Sequence, residues 1–393
     1  MISHDCQKHD FSVLRVVRGL APGTGGADTH VLELSTAIDP YLKNQVIVAP
    51  YFPGCEEFDQ KFPIPIVRVK PPAICKIGCP AIADFFYSLY ARKVIKQKIE
   101  EYGIDIVHFH SPLLASYLIP QLRLRNRTLR HVVMIHGWPG KKFREYGVSY
   151  EIEKILIQFS SPDHYLILND GSQIIDLQNV LKKGNIPWDV VYHGIDTSLY
   201  RPNKICEAKQ FEILFPHRPT SIKRPDIAMN IFKKFSSRVE VPTICLAYLA
   251  ADRANGLKQL ACENGLSSNV RFTKALAGES MIDCINRSSV IIGTSLSSNT
   301  GRAIQEAMAC AKPVIVFNNG GISDIITHME NGILVEPGDT NAFAEALELL
   351  YHNPELRDKL GRKARETIIQ ERNWDKRIKK ELSVYEQIMG IND

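Results

Sequence analysis

Long apolar runs are missing from this sequence: nothing approaches eighteen consecutive hydrophobic residues, so no segment is expected to span a bilayer as a helix. The first ten residues carry Asp5 and Asp10 instead of a basic-then-apolar leader, which excludes a secretory signal there. The nine cysteines are odd in number and scattered, and without an export signal they read as reduced thiols of a cytoplasmic protein. Cys75 and Cys79 have no second pair at zinc-like spacing, so no metal site is expected. There is no Gly-Lys-Ser/Thr phosphate loop and no complete G-x-G-x-x-G, and the second strand ends at Ala49-Pro50 without a carboxylate for a ribose, which argues against dinucleotide binding. A G-x-S-x-G elbow is absent too, leaving serine-hydrolase chemistry without support. No solenoid repeat or low-complexity segment interrupts the chain.

What remains is an ordinary globular composition. The 393 residues are 45% hydrophobic and 23% charged, enough for two or three domains. The net charge of +5 is unevenly placed: Lys61 to Arg144 holds fifteen cations and four acids. That surplus reads either as solvated helix faces with a few salt bridges or as a surface for anionic lipid or a phosphorylated acceptor, whereas no recognisable module accompanies it for nucleic acid.

Periodicity alternates short apolar strands with helices. Strands are expected at Ser12–Val17, Gln45–Ala49, Ile104–His108 and Val132–Ile135, with helices at Asp28–Ile38 and Phe85–Glu101. After the polar stretch Arg201–Gln210 the pattern restarts. Strands follow at Glu212–Phe215, Thr243–Leu249, Val270–Phe272, Val290–Thr294 and Pro313–Phe317, with helices at Pro225–Phe235, Thr300–Cys310 and, almost without a break, Asn341–Met389. This predicts an α/β protein of two Rossmann-like, doubly wound parallel-sheet domains facing across a cleft, with a boundary near residue 205.

Four groups of residues could carry chemistry. Gly25 and Gly26, between the first strand and first helix, let backbone approach a phosphate at a helix N-terminus. Arg218 and Lys223, on the loop after the first strand of the second half, could converge on a pyrophosphate. Ser298, Asn299, Thr300, Gly301, Arg302 and Ala303 open a helix in which Glu306 could accept both hydroxyls of a cis-diol. His136, at the carboxyl end of a strand and followed by Gly137, could bond a sugar hydroxyl or move a proton. Each group also has a plain structural reading, as a tight turn, a solvated loop cation, a surface glutamate or a core histidine.

The combination resembles the retaining, nucleotide-sugar-dependent glycosyltransferases of the GT-B fold, the group that contains sucrose synthases and bacterial mannosyl- and glucosyltransferases, often called family 4. The resemblance rests on Gly25-Gly26 with His30, Asp105-Ile-Val-His-Phe-His-Ser-Pro112, His136-Gly137 and His193-Gly-Ile-Asp196. It continues through Arg218 with Lys223, Gly301 with Glu306-Ala-Met-Ala-Cys310, Lys312-Pro-Val-Ile-Val, Gly320-Gly321, Asn331 to Asp339 and Trp374-Asp375.

By resemblance, residues 1–205 bind the acceptor, 206–375 the nucleotide sugar, and 376–393 form a helix that returns to the first domain. Arg218 and Lys223 would hold the donor pyrophosphate, Glu306 the ribose hydroxyls, and Asn299 to Ala303 the donor sugar and phosphate. Gly25 and Gly26 would let a loop close over the reacting phosphate, and His136 would contact the donor sugar. The implied activity is hexosyl transfer with retained configuration from a nucleoside-diphosphate sugar, most commonly a uridine diphosphate sugar, to a hydroxyl of a glycan, lipid-linked glycan or small molecule. No cofactor, metal or nucleic acid is implied, and peripheral contact with the inner membrane face is compatible with the basic surplus. The sequence departs from the family pattern at Ser298, where a glutamate is usual, at His193, His217 and Asp324, and in the cation Arg302. The loss of that glutamate leaves a second reading open, a catalytically silent homologue that binds sugar nucleotides or a partner enzyme.

Overall fold

Strands whose two faces both meet packed helices read as unbroken apolar runs, and the first strand shows why. In Ser12–Val16 every residue is buried. Leu14 and Val16 enter one core and Val13 enters another on the opposite face. The computed structural model describes residues 8–20, 26–70, 80–136, 147–168, 174–203, 210–217, 223–240, 243–246, 251–273, 278–296, 301–319 and 321–391.

The first part runs β1 (Ser12–Val16), α1 (Gly26–Ile38), β2 (Asn44–Pro50), α2 (Cys55–Lys61), β3 (Ile66–Val69), α3 (Pro80–Tyr102), β4 (Ile106–Phe109), α4 (Pro112–Arg123), β5 (Arg130–Ile135), α5 (Gly147–Ser160), β6 (His164–Leu168), α6 (Ile174–Lys183) and β7 (Trp188–Val191). The second runs β8 (Glu212–Phe215), α7 (Pro225–Ser236), β9 (Thr243–Leu246), α8 (Ala251–Glu263), β10 (Val270–Phe272), α9 (Glu279–Arg287), β11 (Val290–Gly293), α10 (Arg302–Ala309), β12 (Val314–Phe317), β13 (Ile333–Val335), α11 (Thr340–His352) and α12 (Pro354–Glu371), and α13 (Trp374–Met389) closes the chain. The strands form a seven-stranded sheet ordered β3-β2-β1-β4-β5-β6-β7 and a six-stranded sheet ordered β10-β9-β8-β11-β12-β13. All their pairings are parallel.

The chain divides into two units, one of residues 1–169, 173–194 and 374–393, the other of 170–172 and 195–373. The change falls at Gly194–Ile195 and not near residue 205, because Ile195 and Tyr200 already lie in the second unit's core. Ile195 also donates its N–H to the Arg372 carbonyl. Gly194 packs so closely on Trp374 that a Cβ there would stand 2.5 Å from the indole. Strands β3, β6, β7 and β13 complete the sheets beyond those read from periodicity, since runs of three to five residues carry too little pattern. The helix expected from Thr300 is described from Arg302, after Gly301 in the left-handed region at φ 56°.

Helix α13 lies in the first unit. Its Ile378, Leu382 and Tyr385 join Val13, Ile106, Val132 and Met134 in one core. The same face of β1 carries Arg15, two residues from Val13, and α13 supplies the answering carboxylate. Glu381 Oε1 stands 3.1 Å from Arg15 Nη1 and Glu381 Oε2 2.6 Å from Arg377 Nη2, with neither Arg15 nor Glu381 exposed. Tyr385 donates its hydroxyl to Glu381 at 2.7 Å, and Gln45 accepts from Arg15 Nε at 2.7 Å. Burial alone would raise the Glu381 pKa, but Arg377, His108 and Arg15 outweigh it and hold the carboxylate well below its ordinary range.

Removing one member of a buried ion pair leaves the other charge uncompensated. Glu381→Ala is therefore expected to destabilise the first unit by about 3–5 kcal/mol, read from the urea midpoint of that unit. An unchanged midpoint would show that apolar contacts alone retain α13.

Candidate functional site

In the second sheet the direction of strand order reverses between β8 and β11. Ligands of open parallel sheets bind beyond the strand carboxyl ends at such a reversal. The loop leaving β8 carries His217, and its far end, Lys223-Arg224, leads into α7. Arg224 caps that helix in the left-handed region at φ 51° and pairs with Asp226 at 2.7 Å. Thr294, just past β11, reaches the carbonyls of Lys223 and Arg224 with its hydroxyl, each at 2.9 Å. The strand that delivers α10 thus also positions Lys223.

His217, Lys223, Gly293, Ser295, Gly301 and Asn319 line one hollow. Gly293 leaves room for it: a Cβ there would come within 3.4 Å of His217 Nε2. Gly301, the N-cap residue of α10, has no side chain to cap it, and the positive end of the helix faces the hollow through Gly301. Burial, and then the charge on Lys223, pushes His217 well below the usual histidine range, so the imidazole is neutral and Lys223 is the cation. Asn319 donates to the Ser295 carbonyl at 2.9 Å, and its own Oδ1 is buried with no partner among the described residues. A cation, a helix N-terminus and a neutral imidazole are groups that can meet a phosphate; the hollow itself, about 10 Å³, has room for about one water.

One turn into α10, Arg302 Nε donates to Glu306 Oε1 at 2.8 Å, with the two side chains 14% and 10% exposed. Glu306 is therefore neither a solvated surface carboxylate nor an isolated one. Ala303 is half-buried in the same first turn. Gly26 begins α1. Gly25, Arg218, Ser298, Asn299 and Thr300 lie outside the described residues, as do Cys75 and Cys79. Among the described residues Glu212, Cys245 and Cys284 bring three possible metal-ligand atoms within 4.8 Å of one another. Arg271 already donates to that Glu212 carboxylate at 2.7 Å.

The first unit has its own reversal, between β1 and β4. His136 follows β5 there, in a group of histidines. His110 Nδ1 is 3.0 Å from His136 Nε2, and the His30 ring stands 5.6 Å from His136 and 5.1 Å from His193. Trp374 stacks on His30 at 6.0 Å. The protons can be assigned because a guanidinium only donates. Arg15 Nη1 lies 3.3 Å from His110 Nε2, which must accept, so the neutral His110 carries its proton on Nδ1 and donates to His136 Nε2. His136 then holds its proton on Nδ1, a buried atom with no partner among the described residues. Burial pulls the His136 pKa down to about 3, and nearby His108 adds to it. At neutral pH His136 is a hydrogen-bond donor, not an acid in the imidazolium form.

Sequence reasoning did not single out Ser295, Asn319 or Arg15. Only Arg15 left a signal, a cation inside an otherwise apolar strand, which requires a buried partner.

The profile of the family described as "Glycosyl transferases group 1" matches residues 198–367, and that of "Glycosyltransferase Family 4" matches residues 24–199. The chain is 26% identical over 296 residues to a putative glycosyltransferase, EpsD, of Bacillus subtilis, covering 72% of this chain and 76% of that one. It is 23% identical to the uncharacterized glycosyltransferase MJ1069 of Methanocaldococcus jannaschii, covering 94% and 96%. Among solved structures, a sucrose-phosphate synthase from Thermosynechococcus elongatus superposes with a TM-score of 0.79 at 17% identity, covering 97% and 100%. HepE of Anabaena in complex with UDP-glucose superposes with a TM-score of 0.74 at 17% identity, covering 95% and 99%. The likeness to these structures is one of fold, the GT-B fold of two parallel-sheet α/β domains.

The neutral histidines make stability depend on pH. Unfolded imidazoles titrate near 6.5, whereas burial above all carries His108 down to about 4 and His136 down to about 3. Between those values the unfolded chain binds more protons than the folded one, so stability rises with pH and is lost on acidification. The urea midpoint of the first unit is expected to fall as pH drops from 6.5 towards 4, and His136→Gln to flatten that slope. A midpoint constant across this window would contradict the neutral assignment.

Proposed function

We propose that the chain, which matches the group 1 glycosyl transferase model over one half and the family 4 model over the other, is a glycosyltransferase that moves a hexosyl group from a uridine diphosphate sugar to an acceptor hydroxyl with retained anomeric configuration. The observation that supports this best is the hollow where Lys223 and the start of α10 at Gly301 meet. Both are placed by the strands that flank the sheet's reversal, where a diphosphate would bind.

In this reaction the bond from the sugar's anomeric carbon to the phosphate oxygen breaks, and the acceptor oxygen bonds to that carbon from the same face. The acceptor proton passes to the departing phosphate oxygen, so no protein base is needed. Lys223 and Arg218 stabilise the charge that grows on the diphosphate, together with the first amides of α10. These cations do the work that a divalent metal would otherwise do, and the transfer proceeds without one. Glu306, its carboxylate already held by Arg302, takes the ribose hydroxyls with little side-chain freedom left to lose. By the resemblance alone, Gly25 and Gly26 are assigned to the approach of backbone to a phosphate, Ser298 to Ala303 to the donor, and His136, through its Nδ1–H, to a sugar hydroxyl. The acceptor, a glycan, lipid-linked glycan or small molecule, is taken by the first unit.

The test is incubation with a panel of labelled nucleotide sugars in the presence of a chelator, where turnover is expected to persist. Lys223→Ala should lower kcat by about 10²–10³-fold without changing the melting temperature, the usual effect of removing one transition-state donor. Undiminished turnover would overturn the phosphate assignment, and donor binding without any turnover by the parent chain would favour a silent homologue.

A further inference from the structure

Among the described residues, helix α3 carries a stripe that stays partly exposed, with Phe85 set edge-on against Tyr117 of α4 at 5.4 Å. Ile82, Phe85 and Leu89 follow one another at three and four residues, so they share one face. They are 43%, 42% and 43% exposed, and adjacent Tyr90 is 53% exposed. The packing side of the helix is elsewhere, at Tyr87, Ala91 and Ile95, which enter the first unit's core. Continued past Leu89, the rows become basic at the exposed Arg92 and Lys93 and the half-buried Lys96. Arg92 Nη1 donates to Gln121 Oε1 of α4 at 2.6 Å, which places the end of α4 alongside. There Leu124 is 85% exposed, and Arg125 beside it is exposed as well.

The cations are close enough to act on one another. Partial burial, and then the charges of Arg125 and Arg92, pull Lys96 below the ordinary lysine range. No acid pairs with Arg92, Lys93, Lys96 or Arg125 among the described residues; the nearby Asp84 is buried and held by Arg18 at 2.9 Å. Like charges gathered without a counter-ion raise the energy of the folded chain, and an anionic surface would relieve it.

We propose that this face of α3, with the end of α4, docks on the surface of an anionic lipid bilayer. Ile82, Phe85, Leu89, Tyr90 and Leu124 enter the boundary between headgroups and acyl chains, and Arg92, Lys96 and Arg125 pair with lipid phosphates. Ile82 to Lys96 covers about 21 Å of helix, a length suited to lying along a surface. No described helix is long and apolar enough to cross a membrane. Nucleic acid is the poorer occupant, because exposed aliphatic side chains offer nothing to a phosphodiester backbone. A second copy is poorer too, since a two-fold pair would set the uncompensated cations against their own kind. This inference does not rest on the sugar-transfer reading.

The experiment is sedimentation of the full chain with vesicles of phosphatidylglycerol and phosphatidylcholine, against phosphatidylcholine alone. The parent chain is expected to sediment with the mixed vesicles only. Each cation near an anionic surface contributes about fivefold, so Arg92→Glu/Lys96→Glu/Arg125→Glu should weaken partitioning on the order of a hundredfold or more. Phe85→Ser/Leu89→Ser should weaken it about tenfold, both variants melting as the parent does. Hydrogen exchange on the parent chain, which needs no variant, should slow in residues 82–96 when mixed vesicles are added. The proposal is overturned if the parent chain ignores mixed vesicles, if both variants bind as it does, or if protection falls elsewhere. It is also overturned if Leu89→Ser dissolves a dimer instead of a vesicle complex.

Discussion

A parallel sheet with helices on both faces must send some connections one way and some the other, and at the strand where the direction changes two loops part and leave a crevice. In the second unit that strand is β8, and the loops parting there are the one ending at Lys223 and the one ending at Gly301. Everything chemical in that unit follows from this constraint. The cation comes from one loop, the helix dipole from the next, and the Thr294 hydroxyl ties them together across two strands. The same constraint operates in the first unit, where Arg15, His110 and His136 come from three adjacent strands or their ends.

The two units use opposite electrostatic means. The hollow of the second sets Lys223 and the N-terminus of α10 beside an imidazole kept neutral. The first instead shares one buried carboxylate between two buried cations: Glu381 pairs with both Arg15 and Arg377, and burial keeps the histidines uncharged. A cluster of donors whose protonation is set by a guanidinium is rigid in its hydrogen-bond sense, which is useful for recognising hydroxyls. The outer surface of α3 shows a third arrangement, in which no acid pairs with Arg92, Lys93 or Lys96 among the described residues and Ile82, Leu89 and Tyr90 are exposed.

How much was legible depended on how far along the chain each partner lies. Lys223 after β8 and Gly301 before α10 could be read from strand, loop and helix spacing alone, and the structure brings them to one hollow. Arg302 and Glu306 are one helical turn apart, so their pairing was within reach of the sequence, yet which way Glu306 points depends on the core that Ile304, Ala307 and Met308 enter. The stripe on α3 is a regular pattern of apolar residues, and periodicity takes such a pattern for a buried face. Only the packing of Tyr87, Ala91 and Ile95 shows that the core lies on the other side.

The amino-acid sequence by itself determined the two parallel sheets, the loops after the leading strands and the residue types on those loops, because these follow from local periodicity and from side-chain chemistry. The tertiary structure alone decided that Glu381 lies against Arg15, 366 residues away, that His110 sets the proton on His136, and that Asn319 joins the hollow of Lys223. The physical reason is that a buried charge or tautomer is fixed by whatever stands within hydrogen-bond reach in space. Spacing along the chain carries no record of that.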